Sequence, residues 1–275
     1  MYKIVTKREL VPHTNLFEFS AKEIAAKTKP GQFVILRVDE KGERIPLTIA
    51  GVDVEKRAIT VVCHEVGKST KQLGSLKEGD YIPDLLGPLG KPAKIEKFGT
   101  ILCVGGGVMV APLHFQAKAF HEAGNKVIGV VGARTENQLI FEDEMQEICD
   151  ELYVATDDGT RGYKELDFLK KLLKEKKIDR VIVMGPIVTL KTVSELTHPH
   201  GIPTIVNLIP IMVDGMGMCG ACRVTVGGKT MCACVDGPDF DGHQVDFEEL
   251  MARLKTFTTQ EKLAFVFHAE GGRSL

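Results

Sequence analysis

The sequence predicts a β-rich unit over 1–97, an α/β unit over 98–208 and a cysteine-rich module with C-terminal helices over 209–275. Three observations carry that prediction. Short runs rich in Val, Ile, Phe and Thr, separated by turn residues, fill the first part. Strand-like and helix-like patterns then alternate, and four of the seven cysteines fall within the sixteen residues 219–234.

The N-terminal runs lie at 1–10, 16–19, 32–38, 47–52 and 58–65, punctuated by Pro30-Gly31, Lys41-Gly42 and Glu78-Gly79-Asp80. Strands at this spacing indicate a small barrel or sandwich. Two spots in it are chemically distinctive. Arg44-Ile-Pro-Leu-Thr48 sets an arginine two residues ahead of a rigid proline at a strand entrance. Val66-Gly67-Lys68-Ser69-Thr70 opens a helix running through Leu73 with a glycine, a cation and two hydroxyls. Free N–H groups and the positive dipole end at a helix start make a phosphate seat. Taken singly, each spot is more often ordinary turn and capping chemistry than a ligand site.

After Leu85-Leu-Gly-Pro-Leu-Gly-Lys91 the texture changes. Strands are expected at 100–104, 126–131, 152–156, 180–184 and 204–207, with helices at 113–123, 142–149, 164–174 and 188–198. Such alternation means a doubly wound parallel sheet, whose ligands bind beyond the carboxyl ends of the strands. The segments 105–112, 132–135, 156–159 and 185–186 fall there. Gly105-Gly106-Gly107 is not the full G-x-G-x-x-G fingerprint, because Val110 fills the third glycine's place. A glycine run after a strand still lets a pyrophosphate approach the following helix. The cations of 170–177 read as a solvated helix end.

In the last module the sequence reads Asp214-x4-Cys219-x2-Cys222, with Cys232 and Cys234 beyond it. Thiolates gathered this closely repel one another unless a metal centre compensates them. Plant-type [2Fe–2S] sites use C-x4-C-x2-C and a distant fourth cysteine, a frame matched here with a carboxylate in the first slot. Structural zinc is the rival, although one residue between Cys232 and Cys234 is too short for the usual second knuckle. A disulfide framework is disfavoured by the odd cysteine count and by the want of a signal-peptide pattern. Cys63, Cys103 and Cys149 sit singly among apolar neighbours and read as small hydrophobes. Beyond the module, Phe247, Leu250, Met251, Leu254 and Phe257 fall at helical spacing. Thr258-Thr-Gln-Glu261 then suggests a capping box ahead of a helix over 262–268.

A net charge of −2 gives no electrostatic case for nucleic acid or an anionic membrane, and no apolar run is long enough to span a bilayer. The cytoplasm is the expected compartment. The eight histidines show no metal-ligand spacing, and no nucleophile–base constellation stands out, so no side chain is assigned as catalytic.

The order of these units resembles the ferredoxin–NADP reductase superfamily carrying a C-terminal [2Fe–2S] module. Within it, the chain is similar to the small subunits of NADH-dependent reduced ferredoxin:NADP oxidoreductases, which bifurcate electrons, and to sulfide dehydrogenase and class 1B dihydroorotate dehydrogenase electron-transfer subunits. The matching pieces are Pro30-Gly-Gln-Phe33, Arg44-Ile-Pro-Leu-Thr48, Gly67-Lys-Ser-Thr70, Gly105-Gly-Gly107 with Ala111-Pro112, Gly132-Ala-Arg134, Cys219-Gly-Ala-Cys222 and Cys234-Val-Asp-Gly-Pro238. The resemblance implies a flavin-binding antiparallel barrel, with Arg44, Pro46, Leu47 and Thr48 on FAD and Gly67, Lys68, Ser69 and Thr70 at its phosphates. It implies that Gly105, Gly106, Gly107, Arg134, Gly185 and Pro186 serve NAD(H), while Arg134 could also greet a 2′-phosphate. The cluster ligands it implies are Asp214, Cys219, Cys222 and Cys234. An aspartate in the first position departs from the dihydroorotate dehydrogenase pattern and fits the bifurcating group. Met184-Gly-Pro186 lacks the thiol common at the superfamily's nicotinamide site. The implied partner is a larger iron–sulfur flavoprotein subunit in a heterodimer, with ferredoxin and NADP(H) reached through it.

Overall fold

The computed structural model describes residues 1–164, 166 and 168–269. The first unit comprises β1 (Tyr2–Val11), β2 (Thr14–Ser20), α1 (Lys22–Ala25), β3 (Phe33–Arg37), β4 (Arg44–Asp53), β5 (Ala58–His64), α2 (Lys68–Ser75), β6 (Tyr81–Ile82) and β7 (Asp84–Leu89). These strands form one antiparallel sheet in the order β6-β1-β2-β5-β4-β3-β7. The two edge strands, β6 and β7, are separated only by Pro83. The chain therefore steps directly from one edge to the other and brings the sheet round into a barrel. Alternate residues point inward: Phe17 and Phe19 of β2 are fully buried and stack with ring centroids 6.1 Å apart. Each such ring contributes roughly 2–3 kcal/mol by leaving water.

The second unit comprises β8 (Thr100–Gly106), α3 (Val110–Glu122), β9 (Lys126–Ala133), α4 (Glu142–Ile148), β10 (Glu151–Thr156), β11 (Tyr163–Lys164), α5 (Phe168–Glu175), β12 (Arg180–Met184), α6 (Ile187–Thr197) and β13 (Thr204–Asn207). The third contains the hairpin β14 (Arg223–Val226) and β15 (Lys229–Cys232), then α7 (Ala233–Asp236), β16 (Asp239–Asp241), α8 (Phe247–Leu254) and α9 (Thr258–Ala269). The second sheet runs β11-β10-β9-β8-β12-β13-β16, parallel except where β16 pairs antiparallel with β13. Its order reverses between β8 and β12, and that reversal opens a crevice at their carboxyl ends.

Differences from the sequence reading have local causes. The expected helix at 164–174 starts partly on residues outside the described set, and α5 is seen over Phe168–Glu175. The strand β16, only three residues long, carries the chain back from the cysteine module to the edge of the parallel sheet. The helix expected at 262–268 begins earlier, at Thr258, whose hydroxyl bonds the Lys255 carbonyl, so Thr258-Thr-Gln-Glu261 lies inside the helix rather than ahead of it. Of the expected apolar stripe, Phe247 and Leu250 are buried, whereas Phe257 is exposed.

The three units share cores rather than merely touching. Leu16, Ala50 and Val62 of the barrel pack with Val110, Ala111 and Leu113 of α3. Phe33 and Ile35 of β3 pack with Met212, Cys222, Ala233 and Cys234. Cys63, Cys103 and Cys149 are buried as expected, and burial pushes the Cys63 and Cys149 thiols up to about 12.

Candidate functional site

A cavity of about 1250 Å³ opens between the barrel and the carboxyl edge of the parallel sheet. That is above the usual range of roughly 300–1,000 Å³ for a small-molecule site and suits a dinucleotide-sized ligand. The barrel wall includes Pro46, Leu47, Thr48 and Thr70, and the sheet wall includes Gly105, Gly106, Gly107, Arg134, Gly185 and Pro186. Ten of the residues singled out by sequence thus face one space.

Strand pairing explains the sheet wall. Met184 pairs with Gly105, so the next residues, Gly185 and Gly106, meet at the strand ends. A Cβ on Gly106 would lie 3.0 Å from Pro186 Cδ, and one on Gly185 would lie 3.3 Å from the Gly106 nitrogen. Gly107 has φ +57°, a conformation that disfavours side chains, and a Cβ there would meet nothing within 4 Å. Backbone is therefore bared to the cavity beside the turn into α3. Gly105 does what the missing third glycine would do: a Cβ on it would come within 2.8 Å of Leu113 and 3.0 Å of Val110, so its bare backbone lets helix and strand approach.

On the barrel side, Arg44, Pro46 and Thr48 share one face of β4 by alternation. Arg44 itself is exposed at the strand start and does not border the cavity. At the start of α2, Thr70 Oγ1 accepts from the N–H groups of Val66 and Gly67, both at 2.9 Å. The first helical N–H groups, from Lys68 on, remain without helical acceptors. Ser69 is buried and its hydroxyl donates to Glu43 at 3.0 Å, so what it offers at the helix start is its backbone N–H. Gly67, Lys68 and Ser69 lie outside the cavity wall, leaving Thr70 as the member of that motif within it.

Sequence reasoning missed several wall residues. Thr14 and His64 meet across β2 and β5, Oγ1 to Nδ1, at 2.8 Å. Asp157 follows β10, in a carboxyl-end segment that topology marks in advance, and Lys170 borders the cavity rather than a purely solvated helix end.

The cysteine module lies on the far side of the β3–β4 strand pair. Ile35 pairs with Pro46, which lines the cavity, while a Cβ on Gly215 would lie 2.9 Å from Ile35 Cγ1 and 2.7 Å from Leu89 Cδ1. Gly215, Gly217 and Gly220 all have positive φ, from +65° to +82°, which coils the loop tightly. The Asp214 carboxylate accepts from the N–H groups of Met216 (2.8 Å), Met218 (3.0 Å) and Cys219 (2.6 Å). Those bonds, Met216's first, hold it below the ordinary carboxylate range.

Cys222 Sγ lies 3.2 Å from Cys234 Sγ, and burial and the bond from Cys222 raise the Cys234 thiol. Cys232 is half-buried, its N–H donating to Asp236 at 2.8 Å. The potential ligands thus form two pairs, Asp214 with Cys219 and Cys222 with Cys234. Among the described residues no three His, Cys, Asp or Glu side chains form a ready metal cage. Three soft thiols and one carboxylate on a glycine-coiled loop fit an iron–sulfur centre better than structural zinc. Arg253 fastens the loop by donating to the Ala221 carbonyl at 3.1 Å, and Lys91 N–H donates to Gly237 O at 2.7 Å.

A barrel, a nucleotide-type sheet and a cysteine loop sharing one strand pair define a reductase of the ferredoxin–NADP reductase type, an oxidoreductase subunit built for electron transfer. Comparison with known proteins agrees. Residues 210–246 match the family model of the iron–sulfur cluster binding domain of dihydroorotate dehydrogenase B. A dihydroorotate dehydrogenase B (NAD(+)) electron transfer subunit homolog of Thermotoga maritima is 46% identical, covering 96% of this chain and 94% of that one. The solved structure of an NADH-dependent reduced ferredoxin-NADP oxidoreductase, described for flavin-based electron bifurcation, is 45% identical with a TM-score of 0.93, covering 98% of both chains. Phthalate dioxygenase reductase, at 17% identity and a TM-score of 0.61 over 82% of this chain and 85% of that one, shares the fold. The chain belongs to the family of dihydroorotate dehydrogenase B electron-transfer subunits and their homologues.

Proposed function

We propose that this chain is the electron-transfer subunit of an NADH-dependent ferredoxin–NADP oxidoreductase of the bifurcating kind, holding FAD, a [2Fe–2S] cluster and, transiently, NAD(H). One observation carries the reading: the large cavity and the cysteine loop flank the same strand pair, β3 and β4, with Ile35 between them. When bound, FAD supplies the conversion between two-electron hydride exchange and the single-electron traffic of an iron–sulfur cluster.

The chain's own residues bind and orient. Pro46, Leu47 and Thr48 present β4 as a rigid wall for the flavin, and Arg44, on the same face, offers a cation to its pyrophosphate. The first N–H groups of α2, those of Lys68 and Ser69 among them, kept in place by the Thr70 cap and following Gly67, offer a seat for phosphate, with the Ser69 hydroxyl left to Glu43. Gly105, Gly106, Gly107, Gly185 and Pro186 leave room for a nicotinamide nucleotide at the switch point, with Arg134 near its phosphates. Asp214, Cys219, Cys222 and Cys234 would hold the cluster. Asp214 brings a harder, more localised charge than thiolate and so tunes its potential.

Electron exit is supported by the module's surface. Val213, Met216, Met218 and Val235 are exposed around Asp214 and the exposed Cys219, Met218 at 82%. An apolar collar beside a redox loop suits a larger iron–sulfur flavoprotein partner, through which ferredoxin and NADP(H) would be reached. Partnership with a dihydroorotate dehydrogenase is the second reading, favoured by the match over 210–246. Asp214 in place of a cysteine speaks for the first. No helix among the described residues is long and apolar enough to cross a membrane. Purification under nitrogen followed by flavin, iron, sulfide and zinc analysis tests the reading. One FAD, two iron and two sulfide per chain are expected; a colourless protein with one zinc would refute it.

A further inference from the structure

Asp239, Asn207 and Gln116 form a polar trio where β16, β13 and α3 meet, and nothing in the binding of flavin, nucleotide or cluster uses it. The Asp239 carboxylate accepts from Asn207 Nδ2 at 2.7 Å and from Gln116 Nε2 at 3.3 Å. The two amide side chains are 2% and 1% exposed, and their oxygens, Asn207 Oδ1 and Gln116 Oε1, have no partner. An ionised carboxylate only accepts, so the trio is short of a donor. A proton on Asp239 supplies one, because its O–H can reach Gln116 Oε1 once that amide turns over. We propose that Asp239 is a redox-linked proton site, taking up a proton when an electron reaches the iron–sulfur cluster and returning it when the electron leaves. This rests on the cluster site proposed above.

The link from the cysteine loop to this carboxylate is short and stiff. The chain runs Cys234-Val-Asp-Gly-Pro-Asp239. Pro238 O accepts from Leu208 N–H at 2.9 Å, beside Asn207, and Gly237 O accepts from Lys91 N–H at 2.7 Å. Phe240, the next residue, packs in one core with Cys222 and Cys234. On the other side, Ile209 lies two residues beyond Asn207 and Pro112 one turn before Gln116, and both line the cavity. Salt and water screen charges in such a dry interior far less than at the surface. A negative charge gained by the loop therefore favours the neutral form of Asp239.

Other charges on the surrounding elements are occupied elsewhere. In the loop, Asp236 accepts from Cys232 N–H at 2.8 Å and faces Lys91 Nζ at 4.0 Å. On β16, Asp241 accepts from His243 N–H and Gln244 Nε2, both at 3.0 Å. On α3, His114 packs against Phe141, and Lys118 acts on His114. The β13 strand, Thr204–Asn207, has no ionisable side chain. Among the described residues no charged side chain acts on Asp239, so burial against its charge and two hydrogen bonds for it leave the group poised near neutrality. Reduction then adds one electron to the cluster and one proton from water to an Asp239 oxygen, forming an O–H bond. Oxidation breaks that bond and frees the proton. NADH supplies the electrons through the flavin.

The test is a dithionite redox titration of the cluster in the loaded protein, followed by electron paramagnetic resonance between pH 5 and 8, for wild type and Asp239→Asn. If the electron favours protonation about tenfold, the wild-type equilibrium constant for cluster reduction should fall about tenfold across that range, a potential about 59 mV lower at pH 8. Asparagine mimics the neutral acid, so the variant should match wild type at pH 5 and stay constant within about twofold up to pH 8. Reduced-minus-oxidised infrared spectra of wild type at pH 7 should gain the carbonyl band of a protonated carboxyl, and those of Asp239→Asn should lack it. A wild-type cluster whose potential ignores pH, or a dependence or carboxyl band that survives in Asp239→Asn, overturns this inference while leaving the cluster reading standing. Protein purified without iron and sulfide sinks both.

Discussion

Replacing Asp239 by asparagine should stabilise the protein at neutral pH, and the size of the gain follows from where the carboxylate sits. Asp239, in β16, accepts from Asn207 Nδ2 at 2.7 Å and from Gln116 Nε2 at 3.3 Å, tying β16 to β13 and α3. The residue as a whole is half-buried, but its carboxyl group is closed off from water, and burial outweighs those two hydrogen bonds to push its pKa from 3.8 up to about 6. Below about pH 4 the group is neutral folded or unfolded and pH changes nothing. Between about 4 and 6 the folded chain keeps a proton that the unfolded chain has released, so stability falls as pH rises. Above about 6 the loss is complete, and at about 1.4 kcal/mol per unit it reaches up to ~3 kcal/mol. An asparagine carries no charge to desolvate. Its amide can also donate to Gln116 Oε1, a buried acceptor with no partner, once the Gln116 amide turns over. Melting curves of loaded wild type and Asp239→Asn between pH 5 and 8 should show the variant about 5 °C more stable at pH 8, with roughly half that advantage at pH 5. A variant no more stable than wild type, or an advantage independent of pH, would refute the reasoning.

The cluster loop and the flavin side offer three sharper tests. Cys234→Ser should lose iron and sulfide while Cys232→Ser keeps both, measured by colorimetric analysis of freshly purified protein; the reverse pattern would reassign the fourth ligand. Gly215→Ala should release the cluster and leave circular dichroism of the barrel unchanged, because φ is +73° there and the added methyl would press on Leu89 and Ile35; full cluster content in that variant would contradict the packing. Thr70→Val removes the acceptor of the Val66 and Gly67 N–H groups, so it should destabilise the start of α2 by about 1 kcal/mol and raise the dissociation constant for FAD. Unaltered flavin retention on gel filtration would show that the cap does not support the seat.

Much of this architecture is legible in the residues, and what is not has physical reasons. The strands at 180–184 and 204–207 are visible because unbroken β-branched runs end in clear breakers. The strands β6 and β7 are not, since Pro83 and Gly87-Pro88 break their pattern and pairing at the barrel's two edges supplies the order. The strand β16, Asp239-Phe-Asp241, has no strand signature; its conformation is imposed by pairing with β13. For the site, glycines and cysteines announce themselves because their chemistry is positional. Asp157 and His64 do not, because a lone charged or titratable residue acquires meaning only when the fold brings it to a wall. Ser69 shows the converse: its motif names the residue, but that the hydroxyl is taken by Glu43, which lies 26 residues earlier in the chain, is visible only in the fold.

The central claim is that electrons pass between a pyridine nucleotide and the cysteine module within this one chain. Anaerobic addition of stoichiometric NADH to the loaded protein, followed by absorbance and electron paramagnetic resonance, tests it most directly. Loss of flavin absorbance together with a paramagnetic iron–sulfur signal is the predicted result, and the absence of both with cofactors fully loaded would contradict it.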